Sequence, residues 1–391
     1  MNSNIMPTYN RKPVSFVKGE GVYLFDKDGK KYLDALCGLA VTSLGHSHPL
    51  ISSTITNQAK ELIHTSNAFQ IDNQEKLAKR LCQLTGMENA FFCNSGAESV
   101  EAAIKIARKF GHDNGYKNPK IIVMSNSFHG RTMGAMSVTS NLNSHEAFGP
   151  ILDGLIRVKF NDTDELESIV NDNNDVSAIL LETIQGEGGI ISCAKSYIEK
   201  IYEICRKNKI LLMADEVQSG FCRTGRWFGY QHFNVMPDVV MVAKALGNGV
   251  PIGACLARGD AARVLKAGMH GSTFGGNFLS TSVGLCILDI MRDTHTCAHV
   301  INISKIMNDE MNKKLKSFKS VSDIRIYGMM IGIELNVECT DLVVKALEKG
   351  LVINVTQEKI IRLLPPLICE EKHIINIVDI IKELIEENYE H

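Results

Sequence analysis

At 391 residues the chain exceeds one typical domain, so a large domain with a smaller companion is expected. Its charge is nearly balanced, 42 Lys+Arg against 44 Asp+Glu with no basic block, which argues against a nucleic-acid or anionic-membrane partner and for a small-molecule ligand. Eleven scattered cysteines without a Cys-x-x-Cys pair argue against a disulfide framework or a zinc site, and no run approaches the ~18 apolar residues of a membrane span. The segment from Met1 to Pro7 lacks signal-peptide or transit-peptide character, so a soluble cytoplasmic protein is expected.

In chain order, residues 21–34 alternate apolar and polar around Asp28-Gly29 and predict a β-hairpin. His46-Ser47-His48, beside Pro49 and with no carboxylate or cysteine next to it, reads as a turn, and no metal is expected. Ser95 followed by Glu98 is a capping box opening a helix over 98–110. Its small Gly96-Ala97 start offers free N–H donors on a favourable dipole, a ready phosphate site, although an ordinary capped helix carries the same pattern. Short apolar runs at 121–124, 179–181, 210–214 and 239–243 alternate with helical stretches that include 163–170 and 195–208, the βαβ pattern of a mostly parallel sheet. The patch 171–175 reads as a polar turn. Beyond about 288 the regime changes to a helix over 303–315, strands over 324–327 and 330–335, and a terminal helix over 374–386. The expected division is a large domain over 46–288 and a smaller α+β domain built from both chain ends, 1–45 and 289–391. Neither Gly-x-Gly-x-x-Gly nor Gly-x-x-x-x-Gly-Lys-Ser/Thr occurs, so dinucleotide-fold and P-loop readings fail.

Ligands of open α/β sheets gather at the carboxyl ends of the strands. Asp215 closes the run 210–214, and Lys244 closes the run 239–243 ahead of the glycine-rich turn 245–253. The run 121–124 delivers Phe128 and Arg131, and the run 179–181 delivers Glu182 and Glu187. Singly, each has a plainer explanation as a core aromatic, a surface ion pair or a solvated carboxylate. Jointly, a strand-end lysine, a strand-end aspartate, a phosphate cradle and an aromatic plate meet the needs of pyridoxal 5′-phosphate. Its aldehyde needs an amine, its ring nitrogen an anion, its phosphate an anion site and its ring a stacking face.

At this point the chain resembles the class III (ornithine-type) pyridoxal-phosphate aminotransferases of fold type I, within them most closely the bacterial acetylornithine branch. The resemblance runs from Gly45-His46-Ser47-His48-Pro49 through Ser95-Gly96-Ala97-Glu98, Phe128-His129-Gly130-Arg131-Thr132, Gln185-Gly186-Glu187-Gly188-Gly189 and Asp215-Glu216-Val217-Gln218-Ser219-Gly220. It continues through Gly271-Ser272-Thr273-Phe274-Gly275-Gly276-Asn277 to Arg362-Leu363-Leu364-Pro365-Pro366-Leu367. It implies an α/β fold with a mostly parallel central sheet, and Lys244 as the amine that takes the cofactor's aldehyde and later moves the proton. It implies Asp215 on the ring nitrogen, Gln218 on the phenolic oxygen, Phe128 against the ring, and Gly96 and Ala97 on the phosphate, with Ser95, Glu216 and Val217 in the same cofactor-binding set. Thr273 would reach the phosphate from the other subunit of a homodimer with shared sites.

For substrates, the resemblance implies N2-acetylornithine as amino donor and 2-oxoglutarate as acceptor, giving glutamate in arginine biosynthesis. Arg131 would bind a carboxylate of each, Ser272 would lie beside the substrate, and Glu187 would neutralise Arg362 until a dicarboxylate needs that arginine. Thr42, Thr183 and Asn248 depart from the family's usual residues, and none is a reacting group. Leu39 stands near a position where ornithine aminotransferases carry tyrosine, which favours an acylated donor. Succinyldiaminopimelate, succinylornithine, ornithine and 4-aminobutyrate remain alternative donors, and an aminomutase acting on glutamate 1-semialdehyde is the alternative of a different class.

Overall fold

The computed structural model describes residues 4–140 and 142–390, with the side chains of 142–144 outside it. The ends of the expected small domain at 1–3 and 391 therefore lie outside the described residues, as do Met1 to Ser3 of the N-terminal reading. At its centre stands a seven-stranded sheet in the order Asn89–Cys93, Gly253–Ala257, Val239–Val242, Leu211–Asp215, Val176–Leu181, Lys120–Met124, Leu155–Val158. All neighbours run parallel except Gly253–Ala257, which is antiparallel to both of its partners.

Strand periodicity divides this sheet's side chains between two cores. Ile122, Met124, Ile179, Leu181, Leu212, Ala214, Val240 and Val242 face one core, and Ile121, Val123, Ala178, Leu180, Leu211, Met213, Val239 and Met241 face the other. Burial on both faces explains why the strands read as continuous apolar runs. Helix Gly96–Asp113 covers the second face with Val100, Ala103, Ile104 and Ala107, while Lys195–Asn208 lays Tyr197, Ile198 and Ile201 on the first. Each fully buried aliphatic side chain contributes about 1.5–3 kcal/mol relative to exposure.

Two smaller sheets flank this layer. Phe16–Glu20, Tyr23–Asp26 and Lys31–Asp34 form an antiparallel meander whose last strand takes Leu351–Val352 as a parallel neighbour, so the two ends of the chain share one sheet. The expected hairpin is present around a turn in which the Asp26 carboxylate accepts from Asp28 N and Lys30 N, and Gly29 supplies φ +83°. The strand Phe16–Glu20 had no counterpart in the expectation. A four-stranded sheet follows, ordered Val321–Tyr327, Met330–Leu335, Ile360–Leu363, Asn354–Thr356. The helix expected over 163–170 runs on through Asp172, so the polar turn shrinks to residues 173–175. Among the described residues no helix is long and apolar enough to cross a membrane.

Candidate active site

Five strands of the central sheet, Asn89–Cys93, Lys120–Met124, Val176–Leu181, Leu211–Asp215 and Val239–Val242, lead into one cavity of about 410 Å³. Lys244 follows Val239–Val242 and begins a short 3-10 turn with φ +44°, a left-handed conformation that a non-glycine residue adopts at a cost. Its side chain opens onto the cavity. Burial lowers the pKa of its amine, and the Arg362 charge lowers it further, against opposing pulls from Asp215, Glu187 and Glu182. The neutral amine is thereby brought closer to physiological pH than on a surface lysine.

Asp215 ends the neighbouring strand. Its Oδ1 accepts from Val217 N at 3.0 Å and its Oδ2 lies 2.7 Å from His129 Nδ1. The buried His129 Nε2 has no partner, so the imidazole ring makes its one hydrogen bond to this carboxylate. Gln218 Oε1 is also buried and unpartnered, at the cavity wall. Glu182 accepts from Phe128 N and Gly186 N, and burial pushes its carboxyl up to about 7, with His129 opposing and Asp215 adding to the shift.

Helix Gly96–Asp113 points its start at the same space. Ser95 caps it by accepting from Glu98 N, and Glu98 reaches back to Asn94 N, one residue beyond the Ser95 N–H of the expected capping box. Gly96 and Ala97 line the cavity in the first turn, where N–H groups have no intrahelical acceptor. Phe128 and Val217 add an aromatic and an aliphatic wall. A buried amine of lowered pKa, an anchored carboxylate, a helix start and the Phe128 ring fit the four needs of pyridoxal 5′-phosphate.

At the mouth, Arg131 is exposed, its guanidinium carbon 5.7 Å from the centre of the Phe128 ring. Among the described residues no carboxylate pairs with it, and it is available to an anion. Arg362 is 1% exposed, and its Nη1 stands 2.9 Å from Glu187 Oε1 without an N–H aimed at it. Its Nε donates to Asn354 Oδ1 at 2.9 Å.

Four expected residues are not part of the cavity lining: Arg362, which meets it only through Glu187, and Glu216, Ser272 and Thr273. Glu216 is turned into the protein, where it accepts from Gly229 N, Tyr230 N, Ser219 Oγ and Thr183 Oγ1; it organises a loop and does not line the cavity. Ser272 stands one hydrogen bond away, its Oγ accepting from Asn94 Nδ2 at 3.2 Å. Thr273 is exposed on the adjoining loop. Leu39 does not line the cavity and Val41 does, because left-handed residues from Cys37 to Ala40 turn the chain between them. His129, Asn94 and Val41 had no assigned role at the level of sequence; only the strand-end position of His129, two residues from Arg131, pointed to it. Asn248, a departure from the family pattern, accepts from Leu44 N and donates to Gly45 O, tying the turn after Lys244 to the N-terminal segment. His46 is spent on Asp34 at 2.7 Å. A larger hollow of about 820 Å³, lined by Gln74, Phe91, Lys266 and His270 among others, lies elsewhere and gathers no comparable set of groups.

The family model for class III aminotransferases matches residues 5–385. The chain is 49% identical to the acetylornithine aminotransferase of Nitrosomonas europaea over 383 residues, 98% of each chain. Its fold is similar to that of an ornithine aminotransferase from Toxoplasma gondii, described with partial occupancy of PLP at the active site, with TM-score 0.92, 32% identity and coverage of 97% and 92% of the two chains. It is likewise similar to the acetylornithine aminotransferase of Elizabethkingia anophelis, with TM-score 0.88, 32% identity and coverage of 98% and 96%.

Proposed function

The chain belongs to the class III aminotransferases, enzymes of fold type I that use pyridoxal 5′-phosphate, and on that premise we propose that it moves the δ-amino group of N2-acetylornithine to 2-oxoglutarate. The observation that carries the substrate reading is an asymmetric pair, a Glu187 that lines the cavity and is 35% exposed, neutralising a buried Arg362 that is not part of the lining. Such a pair presents a neutral surface to a donor with one carboxylate and a cation to a dicarboxylate once Glu187 turns away.

When bound, the cofactor supplies an aldehyde that takes up the amino group and an electron-poor ring that carries the negative charge left by a departing proton. Lys244 Nζ is the amine for that aldehyde and, once released, the base that takes and returns the proton, a task suited to its lowered pKa. Asp215 holds the ring nitrogen's proton, and His129 fixes the carboxylate that does so. Gln218 would offer its Nε2 donor to the phenolic oxygen, and Gly96 and Ala97 would offer N–H groups to the phosphate. Arg131 binds the donor's α-carboxylate and then the distal carboxylate of 2-oxoglutarate, with Ser272 near the substrate.

We read residues 46–288 as the cofactor-binding domain, and 1–45 with 289–391 as the small one. We read the protein as a cytoplasmic homodimer in which Thr273 serves the partner's site. Exposed Ile63, Phe69 and Phe274 support this, since the segment around them is tied to the 271–277 loop by Asn67 bonds to Ser272 O and Gly275 O and by the His64–Phe274 ring contact.

Single-turnover absorbance of the cofactor-loaded protein against N2-acetylornithine, succinyldiaminopimelate, ornithine and 4-aminobutyrate, each without acceptor, tests the donor. Fastest conversion with N2-acetylornithine is expected. Faster conversion with another donor would replace acetylornithine, and repeated turnover of glutamate 1-semialdehyde in the absence of any acceptor would favour an aminomutase.

A further inference from the structure

We propose that the edge strand Asn354–Thr356 is a two-handed latch on the Glu187–Arg362 pair, with Asn354 setting the arginine and Thr356 the glutamate, and that it fixes the balance between dicarboxylate and monocarboxylate ligands. The inference rests on the reading of that pair given above. Asn354 is the direct cross-strand partner of Arg362, and its Oδ1 accepts from Arg362 Nε at 2.9 Å. Because guanidinium only donates, the amide oxygen must face it.

Side chains two apart on a strand share a face, so Thr356 lies on the same side as Asn354. Thr356 Oγ1 donates to Glu187 O at 2.6 Å and stands 3.5 Å from Glu187 Oε2, and Gln357 Nε2 donates to Glu187 O at 2.9 Å. Two residues further along, Gly189 O accepts from Arg325 Nε at 3.1 Å. The backbone of the glutamate's loop is thus clamped from the sheet at the far end of the chain, and the motion left to Glu187 is rotation of its side chain. Arg362 is the fixed member, buried and held by Asn354, while Glu187 is the member that can leave.

A pre-set arginine meets an incoming carboxylate without first being ordered, and a pre-set glutamate neutralises it without searching. Removing Asn354's acceptor should therefore cost dicarboxylates, and removing Thr356's hydroxyl should cost monocarboxylates. Both are positioning residues, acting through Arg362 and Glu187.

Titration calorimetry of the cofactor-loaded protein with two unreactive ligands tests this, using glutarate as the dicarboxylate and N-acetylnorvaline, which lacks the δ-amine, as the monocarboxylate. Asn354→Ala should weaken glutarate about tenfold and N-acetylnorvaline less than about twofold. Thr356→Val should show the opposite preference, weakening N-acetylnorvaline about fivefold, and Thr356→Ser should restore it. Asn354→Ser, too short to reach Nε, replaces the alanine variant should that one not fold. Equal effects on both ligands, or none, in variants with unchanged melting temperature would overturn the latch. Arg362→Ala separates the two levels. If it spares glutarate, the reading of Arg362 falls and the latch with it; if it abolishes glutarate binding while Asn354→Ala does nothing, the latch alone falls.

Discussion

His129 Nδ1 lies 2.7 Å from Asp215 Oδ2, with both side chains buried and the far histidine nitrogen unpartnered. The geometry gives Asp215 one fixed orientation, its other oxygen held by Val217 N. His129→Ala removes a hydrogen bond to a charged group, worth about 1.5–3 kcal/mol. Cofactor affinity, measured by absorbance titration, should fall roughly ten- to a hundredfold. Unchanged affinity and turnover would show that the histidine does not act through Asp215.

Gly186 packs against Gln218 so closely that a Cβ built on it would meet Gln218 Oε1 at 2.0 Å. Gly186→Ala should displace the glutamine, shift the absorbance maximum of the bound cofactor and weaken cofactor binding by about tenfold, while the fold survives. A variant with the parental spectrum and affinity would remove Gln218 from the cofactor's contacts.

Glu182 gives the protein a pH-dependent stability. Its folded carboxyl keeps its proton up to about 7, against 4.5 for the ordinary group, because burial penalises the charge. Between those values the folded state binds more protons than the unfolded one. The contribution of Glu182 is therefore fully present below 4.5 and is lost as pH rises through about 7. In urea unfolding at fixed protein concentration, the stability of the parent relative to Glu182→Gln should decline from about pH 5 to about pH 8. A flat difference would mean that Glu182 titrates alike in both states.

Shared sites carry their own signature. Lys244→Ala should lose turnover and the visible band of the held cofactor, and Thr273→Ala should weaken cofactor binding. Mixing the two proteins should yield hybrid dimers with one intact site and restored activity. No recovery after verified subunit exchange would count against Thr273 serving its partner.

Much of the central sheet and its reacting groups was legible in sequence because burial on both faces forces continuous β-branched runs and leaves chemistry at their ends. Lys244, Asp215 and Phe128 fall on such ends. The strand Gly253–Ala257 escaped because Gly, Ala and Cys carry little strand signal, and its antiparallel direction rests on a hairpin-like return after Lys244. Helices Asp72–Thr85 and Phe278–Asp293 were also unforeseen, the second because nearly all of its faces are apolar or small. Asn354 could not be found from spacing, since its role depends on register with Arg362 across a strand pair. Val41 took the place expected near Leu39 because consecutive positive φ angles undo any alternation read from sequence.

The clamp on Glu187 by the strand Asn354–Thr356 also orders events in time. Every residue that lines the cavity lies at or before Ile252, whereas the clamp comes from a strand made much later, Asn354–Thr356. During synthesis the cradle's segments are complete before anything exists to restrain Glu187. The order of synthesis thus puts the lining of the cradle ahead of the restraint on Glu187, and the means of choosing among amines is the later of the two to be made.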